Sequence, residues 1–223
     1  MKVAVILSGC GVFDGSEIHE AVCTLLNLSK QGVEYQCFAP NKKQSKVINH
    51  LTREVEENEQ RNILVEAARI ARGNIKDLRD FNTIDFDAVI FPGGSGAINN
   101  LCDYGSKGAN CRIDSDISKI ISDCYECKMP IGAICIAPVL LAFVLGKYGI
   151  TLTIGSNEQV IKAIEQTGAK HKKCSADNAV TDNKNLIVTT PAYMLATSIK
   201  ETDAGISKLV SELIRLGREQ NLS

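Results

Sequence analysis

Four short runs are apolar at nearly every position instead of at every second one: KVAVIL at 2–7, DAVIF at 87–91, PIGAI at 130–134 and LIVTT at 186–190. A strand with one face in water alternates polar and apolar side chains, whereas a strand covered on both faces does not. Between these runs the period changes to that of a helix. Residues 16–31 put Ile18, Val22, Leu25 and Leu26 on one side before Gly32, and further helical patterns cover 53–72, 113–128, 136–145, 159–166 and 193–216. Residues 33–39 and 179–181 complete the expected strands. Strand and helix alternating in this way predict an α/β fold, a flavodoxin-like sandwich with a mostly parallel sheet and helices on both faces. Such sheets bind ligands beyond the carboxyl ends of their strands. Three chemically suggestive loops, 8–16, 92–97 and the one at Cys135, each leave a strand end.

No repeat, low-complexity tract or Pro/Ser-rich linker interrupts the 223 residues, so one domain spanning 1–223 is expected. With 25 Lys and Arg against 26 Asp and Glu the chain has no field to draw it to nucleic acid or an anionic membrane. The basic run Lys170-His171-Lys172-Lys173 is short and reads as a solvated turn. No apolar stretch approaches the roughly 20 residues that span a bilayer. Leu7-Ser8-Gly9-Cys10 imitates a lipoprotein cleavage box, but the apolar run before it is too short for a signal core. Nine cysteines spread through apolar segments fit reduced thiols, and a cytoplasmic protein is the expectation.

The segment IGAICIAPVLL at 131–141 has the layout of a nucleophile elbow: a strand, a reactive residue in a tight turn, then a helix. Ala133 and Ala137 supply the small side chains needed two residues to either side of Cys135, and Pro138 suits a first helical turn. A helix N-terminus favours a thiolate, so Cys135 is expected to be ionised. The amide of Ile136 is one candidate oxyanion donor. Consecutive glycines after the strand at 87–91 let amides approach a bound atom, which makes Gly94 the second. A core cysteine in a small-residue turn is the bland alternative.

This glycine pair followed by an AICIAP elbow resembles the ThiJ/PfpI superfamily, with its class I glutamine amidotransferase-like fold. The resemblance runs almost end to end with the ElbB subfamily, the sigma cross-reacting or isoprenoid-biosynthesis proteins with an amidotransferase-like domain. LSGCGVFDGSEIHEAV (7–22), CFAP (37–40), INHLT (48–52), RNILVEAARIARG (61–73), PGG (92–94), CIAP (135–138), LTIG (152–155) and VTTPAYMLA (188–196) carry it. The resemblance implies that a first-helix carboxylate partners the elbow cysteine, which falls on Glu20, with Glu17 one turn earlier. On spacing alone Asp14 and Glu17 also form a capping box, and Glu20 lies off the apolar stripe, open to a cleft or to water. The histidine that amidotransferases require is missing from 151–157, so glutamine hydrolysis is not expected. Of the three histidines, His19, His50 and His171, only His19 neighbours the candidate acid.

The implied activity is a glyoxalase-type lyase that needs no cofactor and turns glyoxal to glycolate or methylglyoxal to lactate. Its substrate would be a small aldehyde and its assembly a homodimer, although the sequence offers no clear apolar interface stripe. The rival reading is a non-catalytic redox sensor or stress scaffold working through the same thiol; a part in isoprenoid metabolism rests on a family name alone. Cys10 and Cys111 are secondary pocket candidates. Cys124 and Cys127 form a CxxC that sits at a helix end, the wrong place for a redox motif, and with His171 and Cys174 the spacing is too irregular to expect zinc. The glycines from Gly9 to Gly15 nearly match a dinucleotide fingerprint, but the last gap is one residue too long, so no cofactor is expected.

Overall fold

The computed structural model describes residues 1–220. Its strands are β1 (Lys2–Ile6), β2 (Glu34–Ala39), β3 (Ile75–Asp77), β4 (Ala88–Phe91), β5 (Ile131–Ile134), β6 (Thr151–Leu152), β7 (Lys170–His171), β8 (Val180–Asp182) and β9 (Ile187–Thr190). Its helices are α1 (Ile18–Lys30), α2 (Ile63–Ile70), α3 (Ser95–Asn99), α4 (Tyr104–Lys107), α5 (Ser115–Glu126), α6 (Pro138–Leu145), α7 (Glu158–Gln166) and α8 (Ile199–Gln220). Seven strands form one sheet in the order β3-β2-β1-β4-β5-β9-β8, every pairing parallel except that of β8 with β9. A flavodoxin-like α/β sheet is therefore present. The strands called apolar on both faces are buried throughout: β4, β5 and β9 have no exposed residue.

From β1 the chain winds outward through β2 and β3, then returns to place β4 on the other side of β1. That reversal makes a crevice between β1 and β4 at their carboxyl ends, the position where such sheets hold ligands. Helices α1 and α8 pack on each other, as do α5 and α6, and α8, α5 and α6 all border β5. Leu209 and Leu213 of α8 fill the space that Gly132 of β5 leaves without a side chain.

Several assignments depart from the sequence reading. Helix α2 is confined to Ile63–Ile70, capped by Asn62, whose side chain accepts from the Val65 amide. Residues before it, expected to be helical from 53, instead form a folded loop with a bridge between Ile48 and Val55. Helix α8 begins at Ile199 and not at 193, because Pro191 and a three-residue 3-10 turn occupy the preceding chain. Strands β3, β6 and β7 were not foreseen, and the basic run read as a solvated turn begins as β7, with Lys170 and His171 paired to Thr151 and Leu152 of β6. The outer face of α1 is also unexpected: Ile18, Val22 and Leu26 stand four residues apart and are each between 43% and 46% exposed. No helix among the described residues is long and apolar enough to cross a membrane.

Candidate active site

Cys135 follows β5 with φ at 60°, a left-handed value that costs a non-glycine residue about 1–3 kcal/mol unless its surroundings hold it. They do. The Cys135 amide donates to the Thr190 carbonyl of β9 at 2.9 Å, the Ala137 amide donates to the Ile134 carbonyl at 3.0 Å, and Pro138 opens α6. Ala133 and Ala137 are fully buried, as the elbow requires. The amides of Gly94 and Ile136, both named from the sequence, are directed at the Cys135 sulfur.

Gly93 shows how tightly the parts are assembled. A Cβ placed on it would stand 2.5 Å from Cys135 Cβ and 2.5 Å from Glu20 Oε2, which puts those two atoms within about 5 Å of each other. Only glycine fits between them. The Glu20 carboxyl is completely buried and stands beside the Cys135 thiol, close enough for the charge of one to act on the other. Its Oε2 accepts from the Gly93 amide at 3.1 Å and its Oε1 from the Tyr193 amide at 3.3 Å. Glu20 was left between cleft and water by its place on the helical wheel; it faces inward onto the sulfur.

Glu17 has a different task. It caps α1, its Oε2 accepting from the Glu20 amide at 2.7 Å, while its own amide donates to the Gly93 carbonyl at 3.0 Å. Asp14, the other half of the expected capping box, is spent elsewhere: it accepts from the Ile48 amide at 2.8 Å and so fastens the 41–60 loop to the turn after β1. Asn100 adds to that fastening, accepting from the Ser45 amide and donating to the carbonyls of Ser8 and Asp14.

The expected ionisation of Cys135 is overturned. Burial raises the thiol well above its ordinary value, the Glu20 charge raises it further, and the Gly94 and Ile136 amides offset only part of this. Glu20 is pushed up to about 8, by burial first and then by the charge of Glu17. A helix N-terminus does lower a thiol, but here burial and the Glu20 charge outweigh it. At neutral pH the two groups keep their protons and titrate as a coupled pair.

His19 is exposed, its Nδ1 2.8 Å from the Tyr193 hydroxyl, and its contacts run to that ring instead of to the sulfur. Cys10 is half-buried and its charged neighbours are Glu66, Asp14, Arg61 and Arg69, around α2 and its preceding loop, so it faces a different set of groups from those around Cys135. Cys111 lies near Asp103 and Cys102, and burial pushes it up to about 11. Cys124 is buried in α5 with its thiol raised, and Cys127 is exposed at the helix end. Among the described residues no group of three or more His, Cys, Asp and Glu side chains could hold a metal ion. Tyr193 is the site residue missed in the sequence; the proline two positions earlier was the available sign that it lies in a turn.

The DJ-1/PfpI family model matches residues 1–197. The chain belongs to the DJ-1/PfpI family. Among its relatives, the human glutamine amidotransferase-like class 1 domain-containing protein 3, mitochondrial, is 41% identical over 96% of this chain and 83% of its own length. The rat ES1 protein homolog, mitochondrial, is 40% identical over 96% and 84%. Zebrafish ES1 protein, mitochondrial, is 32% identical over 96% and 86%. A crystal structure of an isoprenoid biosynthesis protein with amidotransferase-like domain from Ehrlichia chaffeensis is 36% identical with a TM-score of 0.90, covering 96% of this chain and 99% of that one. Glyoxalase III of Candida albicans shares the fold at 20% identity and a TM-score of 0.63, over 97% of both chains. The mitochondrial names of the three relatives overturn the expectation of a cytoplasmic protein. Free thiols report a reducing compartment without telling one such compartment from another.

Proposed function

We propose that this family member is ElbB-like and converts small 2-oxoaldehydes to hydroxy acids without a cofactor, glyoxal to glycolate or methylglyoxal to lactate. One observation carries the reading: a completely buried carboxyl and a buried thiol face each other across Gly93, beside the Gly94 and Ile136 amides. The 36% identity to the Ehrlichia protein supports the subfamily. The relatives' names support a mitochondrial setting. The apolar outer stripe of α1 supports a homodimer.

The chemistry follows from a pair that can pass a proton without separating charge. Ionised Glu20 takes the thiol proton as the sulfur adds to the aldehyde carbon. The carbonyl oxygen, stabilised by the Gly94 and Ile136 amides, then receives that proton and a hemithioacetal results. Glu20 next removes the proton on the sulfur-bearing carbon, giving an enediol. Proton return to the adjacent carbon leaves a thioester on Cys135. Water cleaves it to hydroxy acid and free thiol, so the sum is the oxoaldehyde plus one water. A thiol suits the task because it adds readily and leaves readily. A sensor cysteine, by contrast, needs thiolate character and exposure, and Cys135 at 8% exposure with a raised thiol has little of either.

Because Glu20 must be ionised to start and titrates near 8, turnover at low substrate should rise with pH through that value. Glyoxal consumption should fall at least about 100-fold in both Cys135→Ala and Glu20→Gln. Rates equal to wild type in either variant would remove the assignment.

A further inference from the structure

Two sequence segments that the chemistry above uses only in part, SEIHEAV and VTTPAYMLA, meet at the mouth of the site through His19 and Tyr193. His19 and Glu20 are consecutive residues of α1, one turned outward and one inward. Tyr193 answers both. Its amide donates to Glu20 Oε1 at 3.3 Å, and its hydroxyl lies 2.8 Å from His19 Nδ1, with the two rings 5.8 Å apart. The result is a closed circuit from α1 through the carboxyl, the Tyr193 backbone and the phenol back to α1. The turn that presents Tyr193 is awkward: Ala192 sits at φ 42°, a left-handed value for a non-glycine residue. An amide at 3.3 Å is near the end of useful hydrogen-bonding range, so a small drift of that turn would release it.

We propose that the His19–Tyr193 hydrogen bond is a positioning latch that holds the Tyr193 amide on the Glu20 carboxyl. It rests on the reading that Glu20 works on Cys135. His19 touches neither thiol nor carboxyl, and acts through the turn. His19, Glu17, Glu20 and Cys23 are the titratable groups around the Tyr193 ring, and the phenol, raised by burial, is neutral among them, so the phenol itself adds no charge to the pair it serves. With the amide in place the ionised carboxyl has two main-chain donors, one on each oxygen; without it, only Gly93 remains.

The test is the pH titration of the Glu20 carboxyl, followed by carbon-13 NMR of protein labelled at the glutamate side-chain carboxyl, in wild type, Tyr193→Phe, His19→Leu and His19→Gln. Releasing the amide removes a donor from the carboxylate, so the midpoint in Tyr193→Phe and His19→Leu should move up by roughly 0.5–1 unit. His19→Gln, able to bond the phenol again, should return to the wild-type midpoint. His19 is exposed, so its variants keep the test sound even if Tyr193→Phe folds poorly. Midpoints that coincide in wild type and His19→Leu, or a His19→Gln variant as shifted as His19→Leu, would overturn the latch. Shifted midpoints in a protein that turns over no glyoxal would leave the latch standing and remove the glyoxalase reading. Glyoxal turnover with unshifted midpoints would do the reverse.

Discussion

A carboxyl group without any contact with solvent survives in a fold as the neutral acid or with its charge spread over donors. Glu20 has two amides to spread charge over, while burial and the nearby Glu17 carboxylate push the other way, and the balance leaves it titrating near 8. The folded chain therefore holds a proton that the unfolded chain releases near 4.5, and stability from this residue falls as pH rises from there through about 8. Glu20→Gln should escape that loss. Thermal melts should show the variant gaining on wild type as pH goes from 5 to 8.5, by an amount on the order of a few kcal/mol. A gain that is the same at both ends would show that burial of the charge is not what Glu20 costs the fold. The identity of this pair was legible in the sequence, Cys135 from its small-residue elbow and Glu20 from resemblance. Its protonation was not, because a thiol responds to the loss of water around it and to the charge beside it, and no motif states either.

At the scale of elements, the central strands could be read because burial on both faces removes polar residues from them, α1, α5 and α7 because their periods are strong, and α6 because a run apolar on every side follows Pro138. Strand β3 escaped because its three residues, Ile75-Lys76-Asp77, carry too little pattern, and it lies at the sheet edge where half-burial suffices. The stretch at 53–62 reads as helix because it leads into the pattern that starts at Ile63, whereas its backbone pairs back on 44–49: the Glu56 amide donates to the Val47 carbonyl, the Arg53 amide to that of Asn49, and the Arg61 carbonyl accepts from the Gln44 amide. Helix α8 is the largest single support of the site, since it packs on β5 beneath the elbow and on α1 beside Glu20. Leu209 is fully buried over Gly132, so Leu209→Ala should cost about 2–5 kcal/mol in urea melts. A cost under about 1 kcal/mol would mean that α8 can close the gap and is not the rigid backing described here.

For the molecule as a whole, the crevice between β1 and β4 gathers three loops far apart in sequence into one place: the turn leading into α1, the Gly93-Gly94 turn and the elbow. Near-neutral composition is consistent with a small uncharged substrate and gives no steering to a large anion. The compartment was the part that composition misjudged, and the relatives' names corrected it. What the assembly is proposed to do is move a proton from one carbon to its neighbour by way of an exchangeable carboxyl. The most direct test is glyoxal turnover in deuterium oxide, with the glycolate analysed by proton NMR. During the transfer the Glu20 proton mixes with those of the thiol and the substrate hydroxyl, so product from wild-type protein should carry deuterium on its carbon. Glycolate with only protium on carbon would point to direct hydride migration and contradict the account, as would a yield no greater than that of Cys135→Ala.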